Sequence, residues 1–522
     1  MSDSEQGARP IPLDGRRVTR RAVLRFGLLI AAVPLAAACG QPAPPAPTAA
    51  PAAKPTEAAK PAAPAAAASP AAGAPTLAQI PEPKAPSFNQ AAINGKLTVV
   101  QSRDFHPDHN TFVEQKIREF ADKMGYPLDH SWMEGFAGAG NVVQKLTATV
   151  QAGDPPDVII HTLQPAELKF LDIIEDVDDL QKSIIKDYGK TVPGLERRAL
   201  LDGKWWSVGH FTRSGSFWAV QKPFKDAGIT DLPKAVQDFD TLRETLLKAS
   251  VPEKELWGWG MTANRSGDGN TMTCDTTVMF GGQLTDESGQ VVVLNKEPYR
   301  SYAIAAFEFL KETYTDPKWA KMLPPGVNAW TDPSNNEAYL AGKIFFTANA
   351  GTLFAKAVFD KNPVADDTIL VPRPKGLGPG GRSLEGTDGM RFFIMKGAKN
   401  REAAEQLIRH LLSPDVMREI WKTSTGYAYP AYEWGWDEGV IKESKYYKTV
   451  GEPFKKIAWD PSGYIAQNFP GPPTPWSTAL YTANFWTDMF GEVLGGKPVA
   501  DAIKDGHDRA VRVFKEFGAK GE

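Results

Sequence analysis

The chain has 522 residues, of which 42% are hydrophobic and 23% are charged, and its formal net charge is −3. This balance excludes a typical nucleic-acid-binding protein, because such proteins carry clustered positive charge. The length predicts two or three domains, and the presence of only two cysteines, Cys39 and Cys274, excludes a disulfide-rich scaffold.

The first 38 residues have the organisation of an export signal. They contain six arginines and three acids, and residues 26–38 carry no charge. That uncharged run is shorter than the ~20 apolar residues that a membrane-spanning helix needs, and it has the length of a signal-peptide core. We therefore predict that residues 1–38 are a signal peptide that is absent from the mature protein, which then has 53 basic against 59 acidic residues.

A pair of arginines, Arg20 and Arg21, precedes the uncharged run. The segment 19–25 resembles the twin-arginine export signal, which a receptor reads. Thr19, Val23 and Arg25 stand where serine, phenylalanine and lysine are usual. The resemblance implies export by the twin-arginine route, and an ordinary secretory signal that contains two arginines is the alternative.

Cys39 directly follows the uncharged run, in the sequence Leu-Ala-Ala-Ala-Cys-Gly. This resembles a lipobox, although Ala36 stands where leucine is usual. The resemblance implies that Cys39 is lipidated and becomes the mature N-terminus. The acyl chains would anchor the protein, because each buried methylene contributes ~0.8 kcal/mol of membrane affinity. We expect an exported protein on the outer face of a prokaryotic cytoplasmic membrane, which it contacts through this anchor alone. A simple cleavage site before an inert cysteine is the alternative.

Residues 39–94 are dominated by alanine and proline. Such a stretch lacks the large apolar side chains whose burial would offset the entropy lost on ordering. We predict a disordered linker between the anchor and the folded part.

The folded part begins with alternating strand and helix patterns. Strands are predicted at 97–100, 128–133 and 157–160, and helices with one apolar face are predicted between them, as at Val113 and Ile117. A β-α-β-α-β order predicts a parallel sheet with right-handed crossovers. The fold class is therefore α/β.

Further strands are predicted at 344–346 and 392–394. In open α/β sheets, ligands bind beyond the carboxyl ends of the strands. The segments that follow Val100, Ile160, Phe346 and Ile394 are therefore expected to border the ligand-binding cleft.

Several short segments in order along the chain resemble one family. They are Ala152–Val158 (AGDPPDV), Asp202–Val208 (DGKWWSV), Phe217–Val220 with Phe224–Ile229, Phe280–Gln283 with Glu287–Gly289, and Tyr339–Ile344 (YLAGKI). Together they resemble the family-1 extracellular solute-binding proteins of ABC importers, which carry sugars and oligosaccharides. The resemblance covers about 400 residues.

This resemblance implies a two-lobe fold of the periplasmic-binding-protein type II class, with the ligand cleft between hinged lobes. It assigns residues 95–208 and 345–413 to lobe 1, and residues 209–344 and 414–522 to lobe 2.

Sugar recognition requires planar hydrogen-bonding groups and aromatic faces. Side chains of these types follow the predicted strands or, for Asp388, are placed at the cleft by the family resemblance. The candidate ligand contacts are Asp104, Phe105, Thr162, Gln164, Asn349 and Asp388.

Tryptophans supply the remaining candidates. Trp434, Trp436 and Trp476 lie among glycines and prolines, where regular core packing is less common, so we expect them to stack on the ligand. Packing in the core is the alternative for each of them.

Neither a metal nor a cofactor is expected. His106 and His109 share one loop, but zinc sites usually require three or four ligands. Cys274 has no neighbouring histidine in sequence and is expected to be a small buried residue.

Two classes of function remain open. The first is a monomeric binding lipoprotein that captures a carbohydrate and delivers it to an ABC-transporter permease. The second is a secreted carbohydrate-active enzyme that acts through two carboxylates, as glycosidases do. No G-x-S-x-G or H-E-x-x-H signature supports an enzyme, and a non-sugar solute is a further alternative within the binding class.

Overall fold

The computed structural model describes residues 77–135 and 139–522. The predicted signal peptide, Arg20, Arg21 and Cys39 lie outside the described residues. None of the helices in the described ranges is long and apolar enough to cross a membrane.

Eleven strands lie in the described part of the chain. They are β1 (Leu97–Arg103), β2 (Leu128–Glu134), β3 (Val158–His161), β4 (Leu200–Leu201), β5 (Lys204–Trp205), β6 (Val208–Ser214), β7 (Phe217–Val220), β8 (Phe346–Ala348), β9 (Thr368–Val371), β10 (Thr387–Ile394) and β11 (Tyr429–Pro430).

Nineteen α-helices accompany them in the same residues. They are α1 (Pro107–Met124), α2 (Ala139–Gln151), α3 (Pro165–Phe170), α4 (Asp178–Tyr188), α5 (Pro193–Ala199), α6 (Gln221–Asp226), α7 (Leu232–Ala235), α8 (Phe239–Ala249), α9 (Gly267–Met279), α10 (Tyr299–Thr315), α11 (Asp332–Leu340), α12 (Thr352–Phe359), α13 (Arg401–Leu411), α14 (Pro414–Thr423), α15 (Gly439–Lys442), α16 (Glu452–Ala458), α17 (Pro475–Thr482), α18 (Phe485–Leu494) and α19 (Val499–Glu516).

The first sheet has six strands in the order β11-β6-β10-β3-β1-β2. Strands β2, β1 and β3 are parallel, as the β-α-β-α-β pattern predicts, and Val99 aligns with His130 on one side and Val158 on the other. Strand β10 is antiparallel to β3. Its first residue therefore lies at the sheet edge where β1 and β3 end.

The second sheet is small and antiparallel, in the order β8-β7-β9. Trp218 of β7 aligns with Thr347 of β8 and Leu370 of β9. The predicted assignment of 345–413 to lobe 1 is therefore wrong in its first part, because β8 and β9 belong to the sheet of lobe 2. Strand β10 and helix α13, later in the same range, lie in lobe 1 as predicted.

The predicted assignment of 414–522 to lobe 2 is wrong at its start. Strand β11 pairs with β6 in the first sheet, and α14 packs against α1 on the same lobe. Helices α18 and α19, by contrast, pack on α9 and α10 of lobe 2. The order of segments along the chain did not show which lobe each one joins, because strand pairing is decided by contacts between distant segments.

The predicted linker also ends too late. Phe88 packs edge-on against Phe120 at 5.3 Å between ring centroids, and the buried Ala91 donates its N–H to the Tyr126 hydroxyl at 2.7 Å. Leu77 and Ile80 also pack on the core. Residues 77–94 therefore belong to the folded part, because apolar side chains recur among their prolines.

The two sheets share a continuous core. Trp218 of lobe 2 stacks on Phe354 at 5.2 Å, and the same buried cluster contains Phe211 of lobe 1. Gly351 allows a close approach here, since its φ is 95° and a Cβ would lie 2.4 Å from the Gly426 carbonyl oxygen. This contact brings the loop before α12 to the floor of the space between the lobes.

Candidate ligand-binding cleft

A cavity of about 340 Å³ lies between the two sheets. Residues that follow β1, β3, β6 and β8 line it, together with residues at the start of β10 and in helices α9, α11 and α17. Both lobes therefore contribute side chains to one cavity.

Six sequence-predicted residues are brought together in this cavity: Asp104, Phe105, Thr162, Gln164, Asn349 and Asp388. The placement of Asp104, Phe105, Thr162 and Gln164 follows from the parallel strands β1 and β3, whose carboxyl ends share an edge. Asn349 follows β8 of the second sheet. Asp388 reaches the same edge because β10 is antiparallel and begins there. The expectation that the segment after Ile394 borders the cleft is wrong for the same reason, since Met395 pairs with Ile174 at the opposite end.

The lobe 1 side of the cleft, which we call the lobe 1 wall, carries Asp104 and Asp388 with Arg213 between them. One guanidinium nitrogen of Arg213 lies 3.7 Å from Asp104 and the other lies 3.8 Å from Asp388. Tyr427 donates a hydrogen bond to Asp104. This arrangement holds both carboxylates in fixed positions at the cavity surface.

Asp388 is also contacted by Arg198 at 3.4 Å and by Arg391. Burial alone would raise the pKa of Asp388, but the positive charges of Arg391, Arg198 and Arg213 outweigh it and hold the pKa below its usual range. The Asp388 carboxylate therefore stays ionised and can accept hydrogen bonds from a ligand.

The lobe 2 side, the lobe 2 wall, is built from the first turns of α9 and α11. Asp332 accepts hydrogen bonds from the backbone N–H groups of Asp268 at 2.8 Å and Gly267 at 3.2 Å. Asp268 accepts one from the Asn335 side-chain amide at 2.9 Å. Burial and the nearby charge of Asp332 raise the pKa of Asp268 above its usual range.

Asn349 lines the cavity, but its amide is already engaged. Its oxygen accepts from the Gly351 N–H at 2.9 Å and the Thr352 hydroxyl at 3.2 Å, and its nitrogen donates to Asn336 at 2.9 Å. Asn349 therefore orients Asn336, which also lines the cavity.

One contact joins the lobes at the cavity. The Thr482 hydroxyl of α17 lies 3.5 Å from the Glu167 carboxylate of α3. Burial raises the pKa of Glu167 to about 7, and the hydroxyl only partly opposes this shift. The lobes are therefore bridged here by a carboxyl that keeps its proton to a higher pH than usual.

A second ionic cluster ties together the chain segments that cross between the lobes. Arg373, which follows β9, contacts Asp275 at 2.9 Å and donates to the Gly215 carbonyl oxygen at 2.9 Å. Glu385 accepts from the Arg373 N–H at 2.5 Å and from the Ser216 hydroxyl at 2.8 Å. These bonds link 215–216 with 373–385, the two connections between the sheets.

The expected stacking of three tryptophans on the ligand is not supported by their positions. Trp434, Trp436 and Trp476 are 5%, 0% and 7% exposed, and none of them lines the cavity. Trp436 stacks on Tyr429, and Trp476 donates its indole N–H to the Gly289 carbonyl oxygen at 2.6 Å. The surrounding glycines and prolines allow close packing around these large rings.

The aromatic side chains that do line the cavity are Phe105, Tyr464 and Tyr481. Tyr464 donates to Asp275 at 3.1 Å, and Arg373 lies over its ring. The sequence analysis did not single out the two tyrosines, because they lie in a C-terminal region with no strand pattern.

His106 and His109 are buried and hydrogen-bonded to Thr423 and Ser424. Burial lowers the pKa of His109 to about 3. Within the described ranges, no group of three or more histidine, cysteine or acidic side chains is arranged to hold a metal ion.

The chain also matches a known family. Residues 135–418, which include most of the cavity-lining segments, match the bacterial extracellular solute-binding protein family. The chain belongs to this family.

One curated relative of this solute-binding protein is the diacetylchitobiose-binding protein DasA of Streptomyces coelicolor. The two are 24% identical over 277 residues, which is 52% of this chain and 60% of the relative. The match thus spans less than two thirds of the relative's length.

Solved structures share the two-lobe fold. Maltose-bound MalE3 of T. maritima has a TM-score of 0.64 at 19% identity, over 81% of this chain and 99% of that protein. The GacH receptor of Streptomyces glaucescens, determined unliganded and with acarbose, has a TM-score of 0.63 at 15% identity over 80% and 98% of the two chains. The family-type fold of two hinged α/β lobes is therefore confirmed.

Sequence reasoning missed the charged residues that dominate the cavity beside the predicted ones: Glu167, Arg198, Arg213, Asp268, Asp332 and Arg373. Two signals could have found some of them. Arg213 lies just before Phe217–Val220, a segment that resembles the family. Ser266 before Gly-Asp-Gly has the form of a helix N-cap, which places Asp268 at a helix start.

Proposed function

We propose that this solute-binding protein captures a sugar or oligosaccharide in the cleft and delivers it to the permease of an ABC transporter. The observation that carries the proposal is the convergence of ionised carboxylates, guanidinium groups and amides from both lobes on one cavity. Planar groups of this kind hydrogen-bond to hydroxyls, and the ring of Phe105 or Tyr464 offers an apolar face to a sugar ring.

The relatives are consistent with this proposal. DasA binds diacetylchitobiose by its name, and the similar structures were determined with maltose, acarbose or laminaribiose. A hinge with charged groups on both sides also suits capture by lobe closure.

We further propose that the chain is exported by a twin-arginine signal at Arg20 and Arg21 and held at the outer membrane face by lipid on Cys39. Such a tether would raise the concentration of the monomeric binding domain near its permease. The linker that remains, from Cys39 to residue 76, contains mainly alanine and proline.

We propose a binding role rather than glycoside hydrolysis. The adjacent acids Asp268 and Asp332 invite comparison with a catalytic pair. However, both oxygens of Asp332 accept backbone N–H groups at the start of α9, which favours a structural role for this carboxylate. DasA is described as a binding protein and GacH as a receptor.

Thermal unfolding of the chain in the presence of a sugar panel tests the proposal. A ligand at 100 times its Kd should stabilise the protein by about 2.7 kcal/mol and raise its Tm. A matched panel of chromogenic glycosides should show no turnover. Hydrolysis of a glycoside, with no sugar raising the Tm, would instead establish the enzyme.

A further inference from the structure

The positive charges of the cavity are all engaged by protein acids. Four arginines line the cavity, and each contacts an acid. Arg198 contacts Asp388, and Arg213 contacts both Asp388 and Asp104. Arg265 contacts Asp488, and Arg373 contacts Asp275. In the part of the chain that the structure describes, no lysine lines the cavity. These residues therefore leave no free cationic side chain in the cavity for an anionic ligand.

Some of its carboxyl groups, by contrast, lack such a partner. Among the described residues, Glu167, Asp268 and Asp332 line the cavity without an arginine or lysine in ion-pair contact. Glu167 projects from lobe 1, and the two aspartates lie on lobe 2. An excess of carboxyl groups thus faces the ligand space from both sides.

On the lobe 2 wall, Asp268 is less compensated than Asp332. The two oxygens of Asp332 each accept a backbone N–H, whereas only one oxygen of Asp268 has a partner, the Asn335 amide. The second oxygen of Asp268 is therefore available to a ligand that donates hydrogen bonds.

A second, independent observation lies on the same wall. The Gly351 N–H donates to Asn349, which identifies the accepting atom as the Asn349 oxygen. The Asn349 nitrogen therefore faces Asn336 and donates to the Asn336 oxygen. The Asn336 nitrogen is left without a protein partner on a side chain that is 96% buried, since its exposure is 4%. Asn336 lines the cavity one helical turn beyond Asp332.

Among the described residues, the lobe 2 wall therefore presents two groups without a hydrogen-bond partner, an acceptor oxygen of Asp268 and the donor nitrogen of Asn336. An ammonium group offers three donors and a positive charge, and a neighbouring hydroxyl or ring oxygen can accept from an amide. Neither an acidic nor a purely neutral sugar satisfies both the charge and the hydrogen bonds.

We propose that the ligand is a sugar with a protonated amino group, whose ammonium is held by Asp268 beside Asp332 while Asn336 donates to a sugar oxygen. This inference rests on the proposed sugar-binding function and specifies its substrate class. The Glu167 carboxyl faces the same space from the opposite lobe.

Titration calorimetry of the chain with matched sugars tests the inference. Monosaccharides and α- and β-linked disaccharides of glucosamine, N-acetylglucosamine and glucose differ at the 2-position by an ammonium, an acetamide or a hydroxyl group. The measurements are made at a pH where the amine is protonated. In at least one of the three series, the monosaccharides or either type of disaccharide, the amino sugar should bind at least about 10-fold more tightly than its hydroxyl analogue. This is the usual gain from a charge-assisted hydrogen bond.

The variant Asp268→Asn preserves the oxygen that accepts from Asn335 and removes the charge. It should weaken amino-sugar binding about 10-fold while changing the affinity for the hydroxyl analogue less than about threefold. Asp508→Asn, on an exposed face of α19, removes the same charge outside the cavity and should change neither affinity. Asn336→Ala should weaken both sugars to a similar extent.

The outcomes are distinguishable. Equal or tighter binding of the hydroxyl or acetamide sugars, or an amine preference that survives Asp268→Asn, overturns the inference and leaves the proposed function standing. Absence of binding by every sugar, with or without an amine, overturns both.

Discussion

The two walls of the cleft handle buried carboxylates in different ways. On the lobe 1 wall, Asp104 and Asp388 are bridged by Arg213, and Asp388 has two further guanidinium neighbours. On the lobe 2 wall, Asp268 and Asp332 are held by amide and backbone N–H groups alone.

This difference has a physical consequence. Ion pairs hold both lobe 1 carboxylates in place whether or not a ligand is present, and they keep Asp388 ionised. The lobe 2 carboxyls repel each other, and the pKa of Asp268 rises because burial and Asp332 both disfavour its charged form. The carboxylates of the lobe 1 wall are therefore ion-paired without a ligand, whereas among the described residues those of the lobe 2 wall have no arginine or lysine in contact.

The largest expected effect is that of Arg213→Ala. The substitution removes the guanidinium that lies between the largely buried carboxylates of Asp104 and Asp388. Deleting one partner of a buried ion pair costs about 3–5 kcal/mol. Urea denaturation of the variant should show this loss in the free energy of unfolding. Arg118→Ala, which removes an exposed pair with Glu114 on α1, should cost only about 0.3–0.5 kcal/mol. A similar small cost for Arg213→Ala would show that the lobe 1 wall does not depend on its ion pairs.

Asn349→Ala should have an intermediate effect. It leaves Asn336, the Gly351 N–H and the Thr352 hydroxyl without partners, at a cost of about 1–3 kcal/mol. Ligand affinity should also fall, because Asn336 loses its fixed orientation. Calorimetry alongside denaturation measures both changes. Unchanged affinity would show that Asn336 does not contact the ligand.

A smaller effect is expected from pH at the contact between the walls. The pKa of Glu167 is raised by burial from 4.5 to about 7 in the folded chain, so the folded state retains a proton that the unfolded state has lost between these values. The contribution of Glu167 to stability is therefore fully present below about pH 4.5 and is lost as the pH rises to about 7. Comparison of Tm against pH for the natural chain and Glu167→Gln should show a weaker decline over this window in the variant. Identical slopes would assign the decline to other groups.

The smallest effect on binding is expected at Trp476, which lies outside both walls. Trp476→Phe removes the hydrogen bond to the Gly289 carbonyl oxygen and keeps most of the packing against Phe514. Affinity for a bound sugar should change less than about twofold, while stability falls by about 1 kcal/mol. A large loss of affinity without loss of stability would place Trp476 at the ligand.

Local sequence patterns determined the first half of the lobe 1 sheet. The β-branched runs at 97–100 and 157–160 alternate with amphipathic helices, and this periodicity is sufficient to predict parallel strands. The positions of Asp104, Phe105, Thr162 and Gln164 at the cavity followed directly, since residues after parallel strands share one edge. The family resemblance added Asp388.

Tertiary structure alone decided the rest. The pairing of β8 and β9 with β7, and of β11 with β6, depends on contacts between segments far apart in the chain. The tryptophans illustrate the same limit, since their glycine- and proline-rich surroundings are compatible with either a loop or tight packing.

What the sequence by itself determined about this protein was its α/β class, its family and one edge of its cleft, because these depend on local periodicity and local motifs. Which lobe each later segment joins, which aromatic rings are buried and which carboxyls lack a cation were decided by the folded structure. Burial, charge pairing and hydrogen-bond completion are properties of neighbours in space, and residues such as Asp268 and Asn336 acquire their significance only from them.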